Sequence, residues 1–278
     1  MDKMKKMERK RHAVQAVWAL LTNSHLAGFA RGTLYKGRLK GLCVPGLNCY
    51  SCPGAVGSCP IGALQSVLGS RKFGFSYYVS GFLLLVGALT GRFVCGWLCP
   101  FGWIQELLHK IPFGRKIRTF RGDRALRFVK YAVLAVLVIA LPLLLKDETG
   151  QSAPWFCKLL CPAGTLEGGL PLMIADESIR SAAGGLFAWK AALLIAVLVA
   201  CVAIFRPFCK YLCPLGAIYS LFNPIAVFRC RVDGSKCTHC GACAAVCDMG
   251  VDPARHPNDP ECIRCGKCRH ACPHGAIR

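Results

Sequence analysis

CTHCGACAAVC (residues 237–247) and CIRCGKCRHACP (residues 262–273), fourteen residues apart, each space their cysteines C-x2-C-x2-C-x3-C. Three cysteines two residues apart let one short loop wrap a corner of a cubane. The fourth lies too far along to reach the same iron comfortably, and in proteins with two such runs it ligates the other cluster. The pattern therefore assigns Cys237, Cys240, Cys243 and Cys272 to one [4Fe–4S] cluster and Cys262, Cys265, Cys268 and Cys247 to a second.

The two runs resemble a bacterial two-cluster ferredoxin. One departure is visible: Asp248 follows Cys247 where Pro273 follows Cys272. Four thiolates also suit tetrahedral zinc. Zinc pairs, however, come as C-x2-C plus a distant second pair, not as four cysteines in eleven residues. A disulfide framework conflicts with a cytoplasmic location, where thiols stay reduced.

The whole chain has 278 residues, 20 cysteines, 54% apolar residues and a net charge of +21. Its mean hydropathy is +0.42. Such charge suits a nucleic-acid binder or a membrane protein with basic loops. The long apolar runs favour the membrane, and no nucleic-acid partner is expected. Thiolates on iron add negative charge that the lysines and arginines offset. The first apolar run lacks a small-residue cleavage site, so no removable leader is expected.

The expected fold is mainly α: a four-span transmembrane helical domain followed by a small α+β two-cluster ferredoxin. Residues 1–12 form a basic tail, 13–225 the membrane domain and 226–278 the ferredoxin. The spans are 13–30, 73–91, 128–145 and 186–205, each close to the eighteen or more apolar residues a bilayer needs. The first is interrupted by Thr22-Asn23-Ser24-His25 and reads as a broken or re-entrant helix. Lys130 lies near one end of the third, placed to snorkel. Lys190 lies near one end of the fourth. The loop 92–127 holds eight basic residues against Glu106 and Asp123; the loop 146–185 holds three against five acids. The positive-inside rule puts the former and both termini in the cytoplasm of a prokaryotic inner membrane. The loop 31–72, with six basic residues and no acid, conflicts with its outward place.

One phrase, Cys-Pro-x-Gly, recurs at Cys59, Cys99, Cys161, Cys213 and Cys272. Of the four copies ahead of the ferredoxin runs, three carry a cysteine four residues earlier: Cys95, Cys157 and Cys209. Proline suits the first turn of a helix, where an N–H is not needed. Glycine lets backbone approach a bulky cluster. Each phrase reads as ligand, turn, new helix, and the amphipathic run through Gln105 and Leu108 fits. One C-x3-C-P supplies two thiolates and a cubane takes four, so phrases must pair. Cys95 and Cys99 follow the second span, Cys209 and Cys213 the fourth, and both spans exit on the cytoplasmic side. These four are expected to hold a third cluster. Free buried thiols are the plainer alternative.

Cys157 and Cys161 face outward in this topology, as do Cys43, Cys49, Cys52 and Cys59. The expected fourth set is Cys157, Cys161, Cys52 and Cys59, with Cys49, then Cys43, as substitutes. Outward disulfides are the other reading of these six. Cys201 and Cys230 stand alone and read as packing. His25 and His109 lack a pairing partner for haem. Trp97, Trp103 and Trp155 suit interfacial belts.

CGWLCPFGWIQ and CKYLCPLGAI, followed by the twin ferredoxin runs, resemble the NapH family of membrane polyferredoxins and the related carboxy-terminal half of NosR. The resemblance covers residues 75–278. It implies a multi-span protein passing electrons through [4Fe–4S] clusters between quinol or a cytoplasmic donor and an extracytoplasmic reductase. Cys43, Cys49, Cys52, Cys59, Cys157 and Cys161 go beyond the two-pair pattern of that family, and suit a chain that carries electrons through the membrane itself. No acid, base or nucleophile constellation accompanies the cysteines, so a component of an oxidoreductase system is expected rather than a stand-alone enzyme. Arg264, Lys267 and Arg269 are placed to dock an acidic redox partner. A quinol dehydrogenase subunit and a redox sensor or assembly factor are the alternatives. Anaerobically purified protein should hold about sixteen iron atoms, four for each cubane; about twelve would remove the outer cluster.

Overall fold

The computed structural model describes residues 2–70, 77–112, 114 and 116–278. Its first helix, Asp2–Thr22, runs through the basic segment and the first apolar run alike. Arg11 and Gln15 are its fully buried polar residues, while Val17, Leu20 and Leu21 face outward. It packs on Pro100–His109 and on Lys267–Ala271 of the cysteine-rich tail. The interruption read from the sequence is a real break. Thr22 Oγ1 donates to Trp18 O at 2.9 Å and Asn23 Nδ2 to Ala19 O at 3.0 Å. Side chains that take the last carbonyls end a helix. A short helix, Ala27–Arg31, follows.

Among the described residues two helices are long and apolar enough to cross a membrane: Asp123–Leu144, with 22 residues, and Gly185–Ala203, with 19. At 1.5 Å per residue they measure about 33 and about 28 Å, against about 30 Å of hydrocarbon. Phe128, Val136, Leu143, Ile195 and Val199 on their outer faces are exposed. Tyr77–Thr90 is shorter, at 14 residues; residues 73–76 of the expected second span lie outside the described residues. Asp123–Leu144 widens to a π-helix over Leu134–Ala140, just ahead of Pro142. A proline ring displaces the carbonyl four residues back, and a wider turn accommodates it. Thr165–Gly169 does the same ahead of Pro171.

Lys130 does not snorkel. It is fully buried and bonds Glu261, which Arg92 also holds at 2.7 Å. Glu106 lies 2.6 Å from Arg11 and 2.8 Å from Arg206, and Asp123 lies 2.6 Å from Lys210 and Arg127. Each of these three carboxylates thus meets two basic side chains, which leaves positive charge in the core.

The cysteine-rich tail is tied at its ends. Arg231 and Arg278 exchange two backbone hydrogen bonds of 2.9 Å, and Asp233 N donates to Ala276 O at 2.8 Å. Beyond the Val232–Ile277 bridge no longer strand forms there among the described residues, so the β part of the expected α+β unit is minimal. Its helices, Ala242–Ala245 and Lys267–Ala271, each follow a glycine with φ of 73° or 81°. His239 and Arg264, at matching places in the two runs, take φ of 53° and 52°. The twin runs therefore fold alike.

Candidate metal centres

Cys95, Cys99, Cys209 and Cys213 are buried together, each within electrostatic reach of the other three. Short helices Phe93–Trp97 and Pro207–Tyr211 present Cys95 and Cys209. Cys99 and Cys213 cap the next helices, Pro100–His109 and Pro214–Phe222. Gly102 N donates to Cys99 Sγ at 3.4 Å and Gly216 N to Cys213 Sγ at 3.3 Å. Space at both glycines is tight. A Cβ on Gly102 would lie 2.9 Å from Arg206 Nη1, and one on Gly216 3.2 Å from Cys209 O and 3.4 Å from Arg92 Nη2.

Those two arginines cross. Arg92 precedes the first phrase and donates to Cys209 O of the second at 3.0 Å; Arg206 precedes the second and donates to Cys95 O of the first. The sequence reading missed both. The signal was present as R-x2-C-x3-C-P-x-G in each phrase.

A second site repeats this plan with Cys49, Cys59, Cys157 and Cys161, again all within electrostatic reach of one another. FCKLLCPAG around Cys157 and FCKYLCPLG around Cys209 are nearly one phrase. Cys49 takes the place expected for Cys52. Cys52 turns away, its Sγ 3.6 Å from Asn23 Oδ1, whereas Cys49 N donates to Glu167 Oε2 at 2.8 Å. Cys43 is buried beside Cys59 alone among the cysteines. The spacing left Cys49 and Cys52 equivalent; the turn between them separates them. Burial pushes the Cys49 and Cys157 thiols up to about 12 and Glu167 up to about 7. Thiols this hard to ionise bind iron only by releasing a proton.

In the tail, Cys247, Cys262, Cys265 and Cys268, together with Cys230, line one cavity of about 850 Å³. Cys237, Cys240, Cys243 and Cys272 line another of about 20 Å³. Asp248 leaves the local turn intact: Val251 N donates to Cys247 Sγ at 3.4 Å, as Ala276 N does to Cys272 Sγ at 3.4 Å.

The sites adjoin one another. Gly96, beside Cys95, packs so closely on Ile263 that a Cβ would overlap the Ile263 carbonyl. Trp97 Nε1 donates to Arg264 O at 3.1 Å, which puts Trp97 at this junction rather than in a lipid belt. On the other flank a Cβ on Gly46 would lie 3.0 Å from Cys99 Cα. Tyr219 OH donates to Pro45 O at 3.2 Å and lies within reach of both Cys95 and Cys59.

Arg264 and Lys267 are not free to dock a partner. Arg264 donates to Thr90 O at 2.6 Å and Asn223 O at 2.8 Å, and Lys267 pairs with Asp248 at 2.6 Å. Arg269 remains exposed. His25 bonds Pro53 O and His109 bonds Cys201 O, both at 3.0 Å. Cys201 is fully buried packing, and the Cys230 backbone N–H donates to Asn258 Oδ1 while its carbonyl accepts from Asn258 Nδ2, both at 3.0 Å. All twenty cysteines are free thiols in the structure.

A helical scaffold carrying thiol-only sets of this kind, with buried guanidiniums beside one and cavities beside two, fits iron–sulfur clusters. A family model described as a 4Fe-4S binding domain matches residues 75–121 and again 186–231, the two halves that the crossed arginines join. Another of the same description matches 258–278. The chain is thus a 4Fe–4S protein, and it is similar to ferredoxin-type electron-transport proteins. YccM of Escherichia coli K12, named as a candidate electron transport protein, is 29% identical over 241 residues, 80% of this chain and 62% of its own. The methylamine utilization ferredoxin-type protein MauN of Methylorubrum extorquens is 30% identical over 68% of this chain and 59% of its own. The regulatory protein NosR of Pseudomonas aeruginosa is 31% identical over 61% of this chain, which is 22% of NosR. The chain spans less than two thirds of the length of each of the three. No solved structure matches.

Gly96→Ala should lift the tail off the membrane domain, at a cost of about 1–3 kcal/mol for overpacking. Limited proteolysis is expected to release a fragment beginning between residues 224 and 236 faster than from the parent protein.

Proposed function

We propose that this chain is a membrane-bound iron–sulfur protein that relays electrons between a cytoplasmic donor and an extracytoplasmic acceptor. The observation that carries the reading is the succession of four four-thiol sets, each packed against the next. In order they are Cys237, Cys240, Cys243, Cys272; then Cys247, Cys262, Cys265, Cys268; then Cys95, Cys99, Cys209, Cys213; and last Cys49, Cys59, Cys157, Cys161. A [4Fe–4S] cluster supplies one-electron chemistry at a potential set by charge, hydrogen bonds and burial.

The chain's own residues do the rest. Sixteen cysteines hold; the glycine N–H groups of the Cys-Pro-x-Gly turns donate to sulfur; Arg92 and Arg206 hold two phrases together and place positive charge beside four thiolates. Domain limits follow the same division: 13–225 in the membrane, 226–278 as the ferredoxin. Four spans with both termini cytoplasmic remain the proposed topology of a prokaryotic inner membrane. Two full-length apolar helices and the exposed apolar side chains of Tyr77–Thr90 support it. The loop 31–72 then lies on the outer side, where its six basic residues run against the positive-inside rule.

At the cytoplasmic end Cys240 is exposed, and so is Lys236, which lines the same cavity; Arg269 and Arg278, which line the neighbouring cavity, are exposed as well. Basic side chains at both tail cavities favour an acidic protein donor over quinol, with encounter slowed by salt.

Two experiments test the reading. Cluster-loaded protein in sealed vesicles, reduced from the tail side, should reduce an impermeant acceptor on the other side; full loading without transfer sinks the relay. Cys49→Ser should lose about four iron atoms and Cys52→Ser none. The reverse pattern would return Cys52 to the outer set.

A further inference from the structure

Gln65 and Gln105 stand six residues after Cys59 and Cys99, at the same point of two Cys-Pro-x-Gly helices. Both are fully buried. Gln105 Nε2 donates to Cys209 Sγ at 3.1 Å, and its Oε1 accepts from Phe208 N at 3.2 Å. Gln65 makes the same pair of bonds: Nε2 to Cys157 Sγ at 3.4 Å, Oε1 from Phe156 N at 2.9 Å. Each Nε2 also donates back to its own helix, to Phe101 O at 3.3 Å or Ile61 O at 3.2 Å.

The amide orientation is dictated by chemistry. A backbone N–H only donates, so the amide oxygen must face Phe208 or Phe156. The NH2 group is then left for the sulfur. In the other two membrane phrases the sixth residue after the cysteine is Glu167 or Tyr219. Glu167 accepts from a backbone N–H and Tyr219 donates to a backbone oxygen; neither brings an amide to sulfur. Each membrane set therefore receives one carboxamide, from the first phrase to the first cysteine of the second.

We propose that Gln65 and Gln105 are matched positioning residues that set the reduction potentials of the two membrane sites. The proposal rests on the reading of both sets as cluster ligands. An N–H aimed at a ligand sulfur strengthens as that sulfur gains negative charge. It therefore favours the reduced state and raises the midpoint potential. The same amide pins the backbone one residue before the ligand, which keeps the sulfur aimed at the site.

The test is an EPR-monitored redox titration of anaerobically purified full-length protein, with iron counted in each sample. Gln105→Met keeps the volume and removes the donor. It should lower the midpoint of one cluster by about tenfold in its reduction equilibrium, which is about 59 mV for a one-electron couple, with iron unchanged. Gln65→Met should lower the midpoint of a different cluster by a similar amount. Should a methionine variant lose iron, Gln105→Glu and Gln65→Glu decide. They keep the bond to Phe208 N or Phe156 N, turn an oxygen toward sulfur, and should lower the same midpoints further. Unmoved midpoints in iron-replete variants would overturn the inference, as would one and the same cluster responding to both sites. About eight iron atoms in the unmutated protein would instead remove the membrane clusters themselves.

Discussion

Carrying anionic thiolates into an apolar helix bundle is the constraint to which the rest of this structure answers. A buried charge without partners is prohibitively unfavourable. The chain meets that cost with donors built into the ligand phrases and with guanidiniums that cannot lose their proton. Arg92 and Arg206 are fully buried and reach across to the carbonyls of the opposite phrase. Glu261 and Glu106 hold them in place without cancelling the excess, because Lys130 and Arg11 join the same carboxylates. Part of the net charge of +21 is therefore interior counter-charge, not a surface for nucleic acid.

These ion pairs also join the two parts of the chain. Glu261 belongs to the cysteine-rich tail, while Arg92 and Lys130 belong to the helical domain. Asn223 bonds the tail backbone at Asp259 O and Cys262 O, 2.9 and 2.8 Å away. With Gly96 seated on Ile263, the loop carrying Cys262 and Cys265 is pressed against the phrase carrying Cys95. Rigid, short separations suit electron transfer, and a docking surface made of buried ion pairs and a glycine contact gives little freedom to drift.

The helical portion is one theme used twice. Each site joins a Cys-Pro-x-Gly helix bearing a glutamine to a second Phe-Cys-Lys phrase. The inner copy adds arginines three residues before Cys95 and Cys209; at the matching places the outer copy has Gly46 and Pro154, with Glu167 nearby. Similar scaffolds with different charge around them hold their thiolates in unlike fields. That is a physical basis for unequal potentials along one path.

The helical class and the cysteine phrases were legible in the residues, because they depend on spacing along one segment. The break after Thr22 was legible for the same reason: the side chains that end the helix are its own neighbours. What spacing could not decide lies between segments. Cys49 and Cys52 sit on one short turn, and only its packing against Glu167 and Asn23 tells them apart. Lys130, Arg264 and Lys267 read as solvent-facing charges until Glu261, Asn223 and Asp248 arrive from distant parts of the chain. Local sequence determined which residues can bind iron; the tertiary structure decided which of them meet, because a four-thiol set drawn from two or three segments exists only where those segments are brought together.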